Sequence, residues 1–566
     1  MGKNRKIKLK LSDWLYNAGI VGIINILGNE NVRYRRNNEN IDLEFDEIEI
    51  DLNNFENFKE KYFNYFIKTY KNLSWYKLVS YKGYILNKKN EKEFSQEDLE
   101  IINKIIDQFK KDLKKSSFKS AYELIYQELP YNINVLEEIK NLKKIKKIEK
   151  KEEFYKNLEI LEKLISFLDE PISKKYIAAK NVMYTVIKNA WEGVSFLNPQ
   201  TKEKNMYKDY KNYFLEPLKE YISVEDKTNY KYRCFSCGNR IKNLSDSLTF
   251  LKNIGFDDAR KPSNVWDFIN DIYICPICKL VYSCVPAGFT YVFDKGVFVN
   301  LNHSVEDIYK INKRIILEIY NRTEHQDINF SYKVILDSIY ENLNNSIKYE
   351  YSDIQIVKLN NTKYTFNILS KNILLVLGKS KEILNNLINN YYFPTKKGDY
   401  NDKISLYEEV IFRVMNNIEL YSFINKLMRI KISDKTNGYY NVKSIMNIIK
   451  INLEYLKEVK GMKDFTESKV QQSNYHGYLL RKAYEGKGSE HKLSGISYRL
   501  LNALKVNNKD SFLDTLLNCY LYVDKPVPKI IIESLENVDE FKTIGYSFVA
   551  GLFGKNNEEK GDENNE

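Results

Sequence analysis

Cys234-Phe-Ser-Cys237-Gly238 and Cys275-Pro-Ile-Cys278 are the residues of this 566-residue chain whose spacing best fits chemistry. Two residues between cysteines let one tight turn present both thiolates to a single ion, and Gly238 permits the positive φ that such knuckles use. Four thiolates fill a tetrahedral zinc shell and leave no position for water. The pattern therefore predicts structural Zn2+ held by Cys234, Cys237, Cys275 and Cys278. The 37 residues between the pairs exceed a minimal zinc ribbon, which predicts a small excursion around 257–265. Only six cysteines occur, five of them between Cys234 and Cys284, and clustering argues for metal over a disulfide framework. Cys284, beside Val285-Pro286-Ala287, reads as a buried thiol, with a place in the metal shell as the alternative; Cys519 reads as core. His303, His325, His476 and His491 share no ligand spacing.

Catalytic patterns fail on inspection. Gly378-Lys379-Ser380 lacks the phosphate-loop glycine five residues earlier, where Ile373 stands in an apolar run resembling a strand; Gly486-Lys487-Gly488-Ser489 meets Arg481 at that position. No nucleophile elbow or paired zinc-protease histidines occur. A dispersed carboxylate site stays open, so a nuclease with a structural zinc module is one alternative reading; a free-standing DNA-binding regulator is another.

The elements that must position the cysteines change along the chain. The fold class expected is α+β, multidomain and mainly helical, with a zinc-binding insertion in the middle and a C-terminal helical bundle. Ser12 reads as the N-cap of a helix over 13–27, buried almost all round, in which Gly19 and Gly22 permit close packing. Ile41, Leu43 and Phe45, then Ile48, Ile50 and Leu52, alternate with a slip that predicts a bulged strand. Helices are expected at 54–71, 96–114, 134–167 and 173–191, with the lysines of 140–151 on a solvated helix face. A hairpin is expected over 288–300, strands at 354–359 and 364–369, and a bundle of five or six helices from about 403 to 550. These give domains at 1–225 (mixed, mainly helical), 226–300 (zinc module with hairpin), 301–402 (α/β), 403–555 (basic bundle) and an acidic, disordered tail at 556–566.

Charge sharpens the functional reading. The chain carries +12, and 426–509 holds 17 Lys and Arg against 7 Asp and Glu, a net +10. Such a segment reads either as an electrostatic footprint for an anionic partner or as a solvated helical surface. Leu493, Ile496, Leu500, Leu501 and Leu504 mark one helix side, leaving Lys492, Arg499 and Lys505 outward, with Arg481, Lys482 and Lys487 extending the row. Cations so spaced can follow a phosphate backbone without reading bases. The N-terminal lysines and apolar 14–27 are too short and too interrupted by Asn17 and Asn25 for a membrane span or secretion signal, so a cytoplasmic protein is expected.

Three stretches resemble one family. They are Leu11-Ser-Asp-Trp-Leu-Tyr-Asn-Ala-Gly-Ile-Val-Gly22; Cys275-Pro-Ile-Cys-Lys-Leu-Val281 with Pro286-Ala-Gly-Phe-Thr290; and Lys492-Leu-Ser-Gly-Ile-Ser-Tyr-Arg-Leu-Leu-Asn-Ala-Leu504 with Ile544-Gly-Tyr-Ser-Phe-Val-Ala-Gly551. In this order they are similar to the Cst-type large subunit, the "Cas eight" group, of the type I-B CRISPR Cascade effector complex. The resemblance implies a non-enzymatic subunit near the crRNA 5′ handle of a surveillance complex. It would help recognise the protospacer-adjacent motif, open target double-stranded DNA, hold the displaced single strand and recruit the helicase-nuclease, beside the other Cascade subunits. It also implies that Met415, Met428 or Met446 could start a separate small subunit.

Overall fold

The computed structural model describes residues 6–35, 46–71, 73–91, 93–129, 133–146, 149–255, 263, 265–267, 269–292, 294–321, 332–342, 354–394, 403–433 and 438–553. Helices dominate, several small sheets accompany them, and the four cysteines gather mid-chain, as the sequence leads one to expect. The chain groups into two compact units, Met1–Phe330 with Ile356–Phe366, and Ser331–Gln355 with Asn367–Glu566. Residues 226–300 lie within the first, 403–553 within the second.

The first unit is built on the opening helix, Trp14–Leu27, whose residues from Leu15 to Leu27 are buried except Asn25. Its cap is Asp13, not Ser12: the Asp13 carboxylate accepts from the Leu15 and Tyr16 amides, while the Ser12 amide donates to Asn17 Oδ1. The asparagines that interrupt the apolar run are anchors. Asn17 Nδ2 donates to Asn300 Oδ1 at 2.9 Å, and Asn25 Nδ2 to the Ala287 carbonyl at 2.9 Å. A buried amide so paired fixes how the helix is seated.

The N-terminal lysines are spent on a sheet. Strand Lys6–Lys10 pairs antiparallel with Glu47–Asp51, which also pairs with Arg33–Arg35. Ile7, Leu9, Ile48 and Ile50 face the core, while Lys6 meets Glu49 at 2.9 Å and Lys8 meets Glu47 at 3.5 Å. Ile41, Leu43 and Phe45 of the expected bulged strand lie outside the described residues; Leu52 starts a 3-10 turn, not a continuation.

Helix Gln96–Leu113 forms where expected, its start fixed by a Ser95–Asp98 capping box. The helix expected over 134–167 divides into Val135–Asn141 and Lys151–Asp169. Between them residues 142–146 of the lysine-rich run are irregular backbone, not a helix face. Asn157 brackets the Lys143 amide and carbonyl with its side chain, and Asn103 brackets those of Ile145. Leu142 and Ile145 are thereby buried without a helix. Two side-chain amides satisfy what helical bonds otherwise would.

A four-stranded sheet runs in the order Lys363–Leu369, Ile354–Asn360, Lys295–Asn300, Thr290–Val292, so it holds the expected hairpin and both expected strands. In the second unit, Lys371–Lys379 is a helix capped by Ser370, so the apolar run before Gly378 is no strand. After residue 403 the described residues hold eight α-helices instead of five or six. The closing helix, Val538–Phe553, is their hub and crosses Glu467–Gly486 at backbone distance. A Cβ on Gly477 would stand 2.0 Å from the Phe548 carbonyl oxygen, and one on Gly551 would stand 1.9 Å from that of Asn474. Ser473 and Ser547 hydroxyls donate across this crossing to the Ile544 and Val470 carbonyls. Small residues permit the approach, and the hydroxyl bonds hold it.

Candidate metal centre and basic helical face

The first cysteine pair sits on a knuckle closed by strands Tyr232–Arg233 and Arg240–Ile241. The Cys234 amide donates to the Asn239 carbonyl at 2.7 Å and the Gly238 amide to the Cys234 carbonyl at 2.9 Å, with Gly238 at φ +71°. A left-handed residue at that corner turns the chain back under the sulfurs, and only glycine takes it without strain. The second pair opens the knuckle helix, Pro276–Ser283: Cys275 is its N-cap and Cys278 lies in its first turn. Proline at the first helical position gives up no bond there.

The four sulfurs lie within 4.8 Å of one another, and Cys237 and Cys275 Sγ stand 3.6 Å apart. Zinc–thiolate bonds of about 2.3 Å would set tetrahedral sulfurs about 3.8 Å apart, so the donor set fits zinc with only small movement. Amides help carry the negative charge: Cys275 N–H points at Cys234 Sγ (3.2 Å) and Cys278 N–H at Cys275 Sγ (3.5 Å). Thiol hydrogen bonds from Cys237, Cys275 and Cys278 hold the Cys234 thiol well below its ordinary value; shared in turn, led by Cys234, they push Cys275 and Cys278 up. Four thiols this close cannot all ionise by themselves. A divalent cation would let them.

Cys284 is outside this cluster. Burial pushes its thiol up to about 12, and it sits beside Ser283 as a core residue. Cys519 is likewise buried. His303 is buried, His476 and His491 belong to the second unit, and His325 lies outside the described residues. Most of 257–265, where the excursion was expected, also lies outside them.

What the sequence did not disclose is how deeply the knuckle helix is set. Every residue from Cys278 to Gly288 is buried. Tyr62 Oη and Trp191 Nε1 both donate to the Ser283 carbonyl, at 2.9 and 3.1 Å, and Tyr210 Oη pairs with the Ser283 hydroxyl at 2.9 Å. Lys279, also buried, meets Asp246 at 2.7 Å and lies over the Tyr213 ring at 3.6 Å. On the opening helix, a Cβ at Gly22 would stand 1.9 Å from the Cys284 carbonyl oxygen; one at Gly288 would stand 2.0 Å from that of Ala18. The cysteine cluster is therefore fastened to the core of the first unit, and metal bound there would brace that core.

Residues 226–290 match the family model described as CRISPR-associated protein (Cas_CXXC_CXXC). The match supports a CRISPR-associated protein. It spans both knuckles and the knuckle helix. Comparison with curated proteins and with solved structures gave no match. Among the described residues no helix is long and apolar enough to cross a membrane.

The cations singled out from the sequence fall in the second unit, in three settings. Arg481 is not part of an outward row: it is 6% exposed, and its guanidinium meets Glu485 at 2.7 Å. Helical spacing puts it where the closing helix packs, so it takes a carboxylate one turn on instead of solvent. Lys482, exposed, meets Glu485 at 3.3 Å and lies over the Tyr478 ring.

Lys487, Lys492 and Arg499 converge. Lys487 donates to the Tyr522 carbonyl at 2.7 Å, and both lysines lie over the Tyr522 ring, at 5.1 and 4.6 Å. The Ser489 hydroxyl and then these two ammonium groups lower the Tyr522 phenol's pKa. Arg499 and Lys492 line one open cleft of about 580 Å³, shared with Tyr484, Asp510 and Asp514. Lys505 is exposed at the end of Leu493–Lys505, about 120° around that helix from Arg499. Leu493, Leu500, Leu501 and Leu504 are buried and Ile496 half-buried, the partition their spacing predicts. Tyr522, the centre of this cluster, carries no distinguishing sequence signal in a chain with 45 tyrosines.

Proposed function

We propose that this chain is the large subunit of a type I-B crRNA-guided surveillance complex, of the Cst subtype. In that role it holds target DNA and the displaced strand, contributes to recognition of the protospacer-adjacent motif, and recruits a helicase-nuclease, which does the cutting. The observation that carries the reading is the CRISPR-associated family match over 226–290, centred on the four-thiolate cluster.

The three stretches that resemble the Cst-type large subunit support it further, because they are core-forming in both units. Gly19 and Gly22 of the first touch Val281 and Cys284, within and just after the second; Gly545 and Leu504 of the third touch each other. Residues that make the closest contacts are those a fold can least change. The four thiolates then serve as a brace with no open coordination position, and the basic helices follow the phosphate backbone.

The test is reconstitution with crRNA and the remaining effector subunits, followed by size separation and R-loop footprinting. The chain is expected to co-elute with the guide-loaded assembly and to be required for strand opening. Guide-independent cleavage of DNA by the purified chain with Mg2+ or Mn2+ would contradict a subunit without chemistry of its own.

A further inference from the structure

Beside the first knuckle, within the first unit, lies a cleft of about 620 Å³ that the zinc cluster does not use. Trp14, from the first turn of the opening helix, stands at its back. Tyr364 and Phe366, from strand Lys363–Leu369, stand 4.9 and 5.4 Å from the Trp14 ring. Phe235, between the first two cysteines, faces the same space, as does Tyr282 of the knuckle helix. Phe235 and Phe366 are 47% and 46% exposed, a large apolar area left to water around one concavity. The charged residues of its lining are Asp13 and exposed Lys363, with Asn253 and Thr362 the other polar ones besides the tyrosines.

We propose that this cleft receives one unpaired nucleobase of a polynucleotide strand, stacked among Phe235, Tyr364 and Phe366, with the adjoining phosphate against Lys363. The inference rests on the reading that the chain handles separated nucleic-acid strands. The volume suits a small ligand. Several rings from different elements offer π-faces to a flat heterocycle, and stacking of this kind tolerates any base. The competing occupant, a cationic side chain from a protein partner, is disfavoured because exposed Lys363 would repel it, while the Asp13 carboxylate is engaged by the Leu15 and Tyr16 amides and the Tyr282 hydroxyl, its charge partly offset by the positive end of the opening helix. The same lysine attracts a phosphate.

The test uses the full chain at low ionic strength with a short single-stranded oligodeoxythymidylate carrying 5-iodouracil. Irradiation and mass mapping are expected to place adducts on Phe235, Tyr364 or Phe366. Phe366→Ala is expected to remove them and to weaken binding about tenfold. Lys363→Glu, on the same exposed strand, should weaken binding too; unchanged zinc content would show the fold intact in both variants. Adducts confined to 438–553, with affinity unchanged in Phe366→Ala, would overturn the pocket while the chain still joined a guide-loaded assembly. Displacement of the oligonucleotide from the cleft only by a lysine-rich peptide that itself needs Phe366 would overturn it in favour of a cationic ligand. Failure both to bind the strand and to enter the assembly would remove the reading beneath it.

Discussion

The two units solve one packing problem by different means. Each has a nearly all-buried helix crossed by another segment at glycine, Trp14–Leu27 against the knuckle helix and the segment after it, and Val538–Phe553 against Glu467–Gly486. In the second unit the partner is a 20-residue helix able to form its own turns and hold the crossing through Ser473 and Ser547. In the first unit the partner is an eight-residue helix whose beginning is fixed by cysteines. So short a helix has little stability of its own, and metal held by the four thiolates would supply what its length does not. The difference teaches where metal would matter: at the weakest nucleus.

Five changes would break or sharpen that contrast. Cys275→Ser or Cys234→Ser should have the largest effect, forfeiting metal-binding free energy on the order of 10 kcal/mol. The expected result is zinc-free, largely insoluble protein by elemental analysis and sedimentation; a soluble, fully cooperative zinc-free variant would break the comparison. Next, Gly551→Val should cost about 3 kcal/mol in denaturant titration, because the added methyls meet the Asn474 carbonyl. A neutral outcome would mean that the second crossing is loosely packed.

Smaller still, combined reversal of Lys492, Arg499 and Lys505 to Glu should weaken single-stranded DNA binding on the order of tenfold and flatten its salt dependence, without altering zinc content. Arg481→Gln belongs to a different class. It should lower the bundle's melting temperature and leave DNA affinity in place, since that guanidinium is buried on Glu485. Equal loss of DNA affinity would return Arg481 to the binding face.

The smallest effect is expected at Asp98. Burial opposes its charge, but the Ser95 amide, Lys88 and Tyr84 hold its carboxyl below the usual range. A depressed folded-state pKa stabilises above the unfolded value and is lost as pH falls through the folded one. Asp98→Ala should therefore cost about 1 kcal/mol at neutral pH, and less in acid. A deficit independent of pH would assign the role to packing instead.

Much of this was legible in the residues. The cysteine spacing marked the four sulfurs that come together, and short β-prone runs marked the strands of the four-stranded sheet. The apolar run over 14–27 gave a helix buried on every side. What failed did so where side chains replaced backbone partners. Lys140–Lys151 has helical spacing, but Asn103 and Asn157 offer its backbone other bonds, and no local pattern reveals amides that arrive from elsewhere in the chain. Arg481 looked solvated because charge alone does not show which face of a helix a distant helix will cover. Ile373–Leu377 is apolar enough for strand or helix, and the Ser370 cap decided between them. The aromatic cleft depends on Trp14, Phe235 and Phe366, far apart in sequence, meeting in one place.

Hydrogen exchange of the full chain loaded with zinc and then treated with a chelator tests the central claim most directly. Loss of protection at Trp14–Leu27 and Pro276–Ser283, with protection kept at Val538–Phe553, is the predicted result. Unchanged protection of the opening helix in metal-free protein would contradict it.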